Sequence, residues 1–218
     1  MSWVKRGINR FIPSVIWQPN PQILVTLKEI QADSIVLDIG AGGRQISSRV
    51  LGVDFICFPN TSVVANIHSL PFLDNSVSAI FCTGTLEHVE NPSQAMKEIF
   101  RILGRGGILH LEVPFMQPYH RDPEDYWRWT LDGLRLFARQ HGFEEERSGI
   151  HLGPTSAINA LIISYCQSWF YNRYIRKGID VLLSFMLWPF KYLDVFLVNK
   201  ASDMPSGVFL VGRKRGES

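Results

Sequence analysis

The residues best equipped for chemistry begin at Asp38, which closes an apolar run and is followed by Gly40-Ala41-Gly42-Gly43. Glycines at such a point let the backbone turn sharply and approach a ligand closely, because no Cβ stands in the way. A second acid, Asp54, closes the next apolar run, sixteen positions after Asp38. A carboxylate at the tip of that strand can accept from both hydroxyls of a ribose. A dinucleotide loop of the G-x-G-x-x-G kind needs glycine where Gln45 stands, which disfavours NAD or FAD. A purely structural turn would also account for a lone glycine loop.

Those residues need a sheet to hold them. IVLDI at 35–39 reads as a buried strand breaking into the glycine loop. VLGVDF, Val63 to Ile67, SAIFCTG at 78–84 and ILHLEV at 108–113 follow, separated by turn or helix signals. Repeated strand and connection units of this size predict a parallel sheet with crossovers. Asn91 caps a helix with Pro92 in its first turn, and glycines 104, 106 and 107 end it. Thr130 opens another helix through Leu134, Phe137 and Ala138, which Gly142 stops.

Several unrelated segments line up in consecutive order over about residues 35–150: VLDIGAGG, GVDF, LPF-x-DNS, LEHV and DYWRWT. Together they resemble a branch of the class I S-adenosylmethionine-dependent methyltransferases. The resemblance implies an α/β fold: a Rossmann-like, mostly parallel seven-stranded sheet with a terminal antiparallel hairpin and helices on both faces. Phe143 to Ser148 and Gly207 to Arg213 fit the hairpin strands. It further implies S-adenosylmethionine as cofactor, with Asp38, Gly40 and Gly42 along its methionine part and Asp54 on its ribose. Asn66 and Ile67 would meet adenine, and Thr83, Glu87 and His88 would border the sulfonium side. Two positions depart from the pattern: Arg44 stands at a usual third glycine, and Asn66 at a usual aspartate. Asn66 could still accept from an exocyclic amine through its amide oxygen. Arg44 to Arg49 is also too short for the usual first helix, which predicts a more open pocket.

Methyl transfer from a sulfonium asks mainly for alignment and desolvation, and a base only where the acceptor must lose a proton. His120, Asp125 and Tyr126, in the loop after the fifth strand, are the candidates, with His88 behind them. Each has a plainer reading: Asp125 can pair with Arg128 to stiffen the loop, and Trp127 and Trp129 can serve packing. We expect the tryptophans to be structural and His120 to lie near the acceptor. Three whole-protein readings stay open: a methyltransferase for a small-molecule or lipid-linked acceptor, a catalytically silent cofactor-binding scaffold, and a membrane-associated assembly protein.

Composition narrows the partners. A net charge of +2 is too mild for a dedicated nucleic-acid binder. Cys57, Cys82 and Cys166 form no CxxC pair, which implies no metal site and fits the reducing cytoplasm. We divide the chain into an N-terminal covering segment at 1–30, a core at 31–150, an apolar helical insertion at 151–206 and a final strand and tail at 207–218. In the first segment Trp3, Val4, Ile8, Phe11 and Ile12 alternate with bases at helical spacing, to cover the core or lie on an anionic surface.

The insertion separates two strands usually joined by a short turn. Residues 157–171 and 179–198 are strongly apolar. In the second run Asp180, Ser184, Lys191 and Asp194 share a narrow stripe, opposite a wide face of Leu182, Leu183, Phe185, Met186, Phe190, Leu193 and Phe196. Pro189 should break the helix. The uninterrupted apolar stretch is too short to span a bilayer, for which about 20 residues are needed. Burial on the domain, a homodimer interface, and a peripheral anchor on the cytoplasmic membrane face all remain compatible with this pattern. For the anchor, Trp169, Tyr171 and Trp188 would lie near Arg173, Arg176 and Lys177.

Overall fold

Short β-branched runs become the central strands because both of their faces are covered. In a computed structural model, which describes residues 20–121, 123–198 and 203–216, these are β1 (Val36–Ile39), β2 (Val50–Asp54), β3 (Thr61–Val64) and β4 (Val77–Thr83). β5 (Leu103–Pro114), β6 (Phe143–Leu152) and β7 (Gly207–Lys214) complete a seven-stranded sheet in the order β3-β2-β1-β4-β5-β7-β6. β1 pairs in parallel with β2 and β4, β2 with β3, and β4 with β5, while the terminal strands run antiparallel. The expected Rossmann-like architecture is therefore present.

Strand edges differ from the reading by a few residues. β3 starts at Thr61 and stops at Val64, leaving Asn66 and Ile67 in the loop beyond it. β5 begins at Leu103, directly after the helix, and its register shifts between Leu103 and Ile108, where Gly106 has φ +68°. Between β1 and β2 residues 40–49 carry no helix. That bare crossover leaves the ends of β1 and β2 uncovered.

Three helices pack on the sheet, two of them with the caps at Asn91 and Thr130 that the sequence predicts. α1 (Pro21–Glu29) is capped by Asn20, and α2 (Pro92–Ile102) by the Asn91 side chain, which accepts from Gln94 N at 3.1 Å. Ala95, Met96, Ile99 and Ile102 line the buried face of α2. α3 (Leu131–Gln140) is capped by Thr130 and ended by Gly142 at φ +85°. A buried polar chain ties α1 to β5: the Asn20 amide donates to Glu112 Oε1 at 2.7 Å. His110 Nε2 lies 2.9 Å from the same oxygen and His110 Nδ1 3.1 Å from Thr26 Oγ1. Lys214, buried at the end of β7, donates to Asn75 and to the carbonyls of Phe100 and Leu103.

Packing divides the described residues into two units, one of 20–115, 120–121, 123–149 and 208–216, the other of 116–119, 150–198 and 203–207. The first begins before residue 31, because α1 belongs to it. The second holds α4 (Pro154–Ser168), α5 (Arg173–Leu187), a 3-10 turn at Trp188–Leu193 and α6 (Asp194–Leu197). α5 ends just before Pro189, as expected, and both helices begin a few residues earlier than the apolar runs suggested. Asp194 caps α4: Thr155 N and Ser156 N donate to its carboxylate at 2.8 and 3.0 Å, and Ser156 Oγ at 2.6 Å. No helix among the described residues is long and apolar enough to cross a membrane. The expected amphipathic segment from Trp3 to Ile12 lies outside the described residues.

Candidate active site

β1, β2 and β4 end side by side, and their loops enclose a cleft of about 410 Å³. That volume falls within the range of small-molecule sites. The C-terminal edge of a parallel sheet is where such clefts form, because loops diverge there and leave backbone amides exposed. Gly40, Gly42, Asp54, Asn66, Ile67 and His88, all singled out from the sequence, line it.

The glycine loop is built around Asp54. Gly42 N donates to Asp54 Oδ2 at 2.8 Å, and Ile56 N to Oδ1 at 3.0 Å. Gly40 N and Ala41 N both turn back to the Val53 carbonyl. Gly40 adopts φ +72°, and a Cβ added there would fall inside the Thr85 side chain, so no other residue fits. At Gly42, φ +56°, nothing lies within 4 Å of the equivalent position, which leaves room for a ligand against the backbone.

Three expected cofactor residues lie behind the wall instead of on it. Asp38 is buried, and Arg44 clasps both of its oxygens, with Nε to Oδ2 at 3.0 Å and Nη2 to Oδ1 at 2.7 Å. Burial pushes the Asp38 carboxyl above its usual range, against the pull of Arg44. Arg44 therefore satisfies a buried acid, which accounts for a long cation at a position expected to be glycine. Thr83 is buried and offers its carbonyl to Thr85 Oγ1 and Arg44. Glu87 is only 2% exposed, and burial raises its carboxyl well above the ordinary carboxylate range.

Asn66 lines the cleft, but its amide oxygen already accepts from His68 N at 2.9 Å and lies 3.1 Å from His68 Nδ1. The bond from His68 N shapes the turn after β3.

The loop after β5 is fastened by Asp125. Arg128 Nη2 donates to Asp125 Oδ2 at 2.6 Å, and His120 N to the same oxygen at 2.8 Å. The Arg128 guanidinium holds the Asp125 carboxyl down at about 2, too weak a base for proton abstraction. Tyr126 N and Trp127 N donate to the Glu87 carbonyl, Trp127 Nε1 to the Val89 carbonyl, and Trp129 packs on Phe137 with ring centroids 4.7 Å apart. The tryptophans are structural, as expected. The rings of His88 and His120 meet edge to face with centroids 5.1 Å apart, and the His88 Nδ1 contacts the Glu124 carbonyl.

Sequence reasoning missed several lining residues: Phe55, Phe58, His68, Thr85, Glu90 and Pro123. Thr85 stands beside Gly84 ahead of LEHV and Phe55 closes GVDF, whereas Phe58, His68, Glu90 and Pro123 lie in loops and carry no sequence signal of their own.

Residues 27–111 match the family described as methyltransferase domain. This stretch is thus similar to methyltransferase domains. Over 134 residues the chain is 25% identical to a ubiquinone/menaquinone biosynthesis C-methyltransferase from Bartonella quintana (strain Toulouse), covering 52% of each chain. The match thus spans about half the length of that curated relative. The 1,6-didemethyltoxoflavin-N1-methyltransferase of Burkholderia thailandensis, solved with its substrate and S-adenosylhomocysteine, superposes with a TM-score of 0.62 at 13% identity. That match covers 98% of this chain and 83% of the other. The [4+2]-cyclase SpnF superposes with a TM-score of 0.59 at 16% identity, covering 94% and 88%. At such identities the structures share the fold, and a cyclase among them separates fold from reaction. A domain of the methyltransferase family takes S-adenosylmethionine as its cofactor. The cleft fits it through the open backbone at Gly42, a carboxylate at Asp54, and the apolar Phe58, Ala65 and Ile67.

Proposed function

We propose that the chain is an S-adenosylmethionine-dependent methyltransferase acting on a small or lipid-linked acceptor. The observation that carries this reading is the cleft itself, where the glycine loop, Asp54 and the turn after β3 line one continuous cavity with His88. When bound, S-adenosylmethionine supplies an electrophilic methyl group. Gly40 and Gly42 would give its methionine part access to the backbone, and Asp54 would accept from the ribose hydroxyls. Ile67 and Phe58 would enclose the adenine. Asp38, Thr83 and Glu87 would act indirectly, by holding Arg44 and the two loops in position.

His88 and His120 stand nearest where an acceptor would enter, and an imidazole is suited to general-base work there. Asp125 serves His120 as a positioning residue, and Tyr126 is tethered through its backbone to Glu87. The quinone C-methyltransferase relative supports an apolar acceptor methylated at carbon. Calorimetric titration of the intact chain with S-adenosylhomocysteine tests the cofactor: micromolar binding is expected, and no binding at millimolar ligand would overturn the reading. A binder that never turns over on any quinol or small phenol would instead support the silent scaffold, favoured by the Arg44 clasp on Asp38.

The apolar excursion supports a seat at a lipid surface for the same enzyme. Leu182, Phe185, Met186 and Phe196 are exposed, with Trp169 and Tyr174 near the basic Arg173 and Arg176. Flotation with anionic liposomes tests this, comparing the intact chain with one whose residues 157–200 are replaced by a short turn. Equal failure to float would leave these helices to a partner protein or a second copy.

A further inference from the structure

One carboxylate oxygen in the sheet unit is buried with no hydrogen-bond partner: Glu87 Oε2. The Glu87 carboxyl group lies beside two imidazoles. His88 Nε2 lies 3.8 Å from Glu87 Oε1, and one donor atom from each of Glu87, His88 and His120 lies within 4.8 Å of the others. Among the described residues this is the group of three that could hold an ion. Spacing alone could not suggest it, because His120 comes from a loop 32 positions beyond His88.

We infer that Glu87, His88 and His120 form a site for one divalent transition-metal ion at the edge of the cleft. Two imidazoles and a carboxylate suit zinc, cobalt, manganese or ferrous iron, and three protein ligands leave at least one position open. The His88 Nδ1 rests on the Glu124 carbonyl, the kind of outer contact that fixes a ligating ring with its other nitrogen turned to the metal. His120 is held differently: Asp125 Oδ2 accepts from its backbone N at 2.8 Å, and its Nδ1 lies 3.4 Å from Arg128 Nη2. The surrounding charge favours a cation: Glu87 and Asp125 are set against Arg128, and Glu124 offsets Arg121. Around an ion with bonds near 2.1 Å the donors would stand roughly 3.4 Å apart, so binding draws them together. The alternative is a simple pairing of Glu87 with a protonated His88, which leaves Oε2 unmet.

His88 lines the cleft, so the open position faces whatever enters beside it. An ion there would polarise an oxygen or nitrogen donor of that molecule. Metal binding itself does not depend on methyl transfer, and the two readings can fail separately.

The test is a titration of the intact, chelator-stripped chain with cobalt chloride, followed by ligand-field absorption in the visible, with zinc as competitor. One ion per chain at micromolar or tighter affinity is expected, weakened at least tenfold in His120→Ala and in His88→Ala. Glu87→Gln exchanges the buried carboxylate for an amide of the same shape, and its folding is checked by circular dichroism. A folded Glu87→Gln chain that has lost the cobalt spectrum supports the site. The same chain with an unchanged spectrum overturns it, as does a thiolate charge-transfer band, which would assign the ion to Cys57 or Cys166. Substoichiometric binding also overturns it. S-adenosylhomocysteine titration of the same stripped protein reports on the cofactor cleft independently.

Discussion

In the sheet unit, most buried polar groups enter the interior in company, Asp38 with Arg44, Glu112 with Asn20 and His110, Lys214 with three acceptors, and Glu87 Oε2 is an exception. Around them the core is mostly leucine, isoleucine and valine, with Met96 and Phe143 among them. The helical unit distributes its residues the other way. Ser184, Lys191 and Asp194 are buried, whereas Leu182 is 61% exposed and Phe196 71%. A burial pattern of the first kind stabilises a fold without help, since apolar area leaves water and most buried polar groups are paired. The second kind spends its polar residues on capping and leaves apolar area outward, which is what a surface meant to meet lipid or protein requires.

The contrast breaks most readily at Gly40. Gly40→Ala forces a Cβ into Thr85 at a positive φ, so stability should fall by about 1–3 kcal/mol. S-adenosylhomocysteine binding should then drop more than a hundredfold, by melting and calorimetry. Asp54→Ala removes the acceptor for Gly42 N, Ile56 N and the ribose, and cofactor affinity should weaken by about 1.5–3 kcal/mol. An unchanged affinity would mean the acid serves only the loop. In the helical unit, Asp194→Ala uncaps α4 and should cost about 1–2 kcal/mol in denaturant unfolding, with cofactor affinity intact. Loss of both together would contradict a purely local role for Asp194.

Smaller effects sharpen the comparison. Replacing exposed Leu182 and Phe185 by serine should move stability by no more than about 0.5 kcal/mol each, yet abolish liposome flotation. The smallest expected effect is in acid. Because the Asp125 carboxyl is held near 2, below its unfolded value of about 3.8, its stabilisation is full above the unfolded value. It is lost as pH falls through the folded one. Arg128→Met should flatten that part of the stability profile between about pH 4 and 2, read by urea midpoints.

Local chemistry determines much of this protein. Glycines at 40 and 42, the caps at Asn91 and Thr130, the break at Pro189 and the alternation of short apolar runs each act over a few residues, so they can be read in order along the chain. The segregation of the 179–198 stripe was legible too, because helical spacing alone creates it. Only tertiary structure decided which of its faces turns inward, since amphipathicity defines two faces and says nothing of what each will meet. Arg44 reached Asp38, Asn66 accepted from His68, and His120 came beside Glu87 and His88. Those partners are selected by where loops converge at the end of a sheet, and a hydrogen bond or a ligand set requires proximity that residue types alone do not supply.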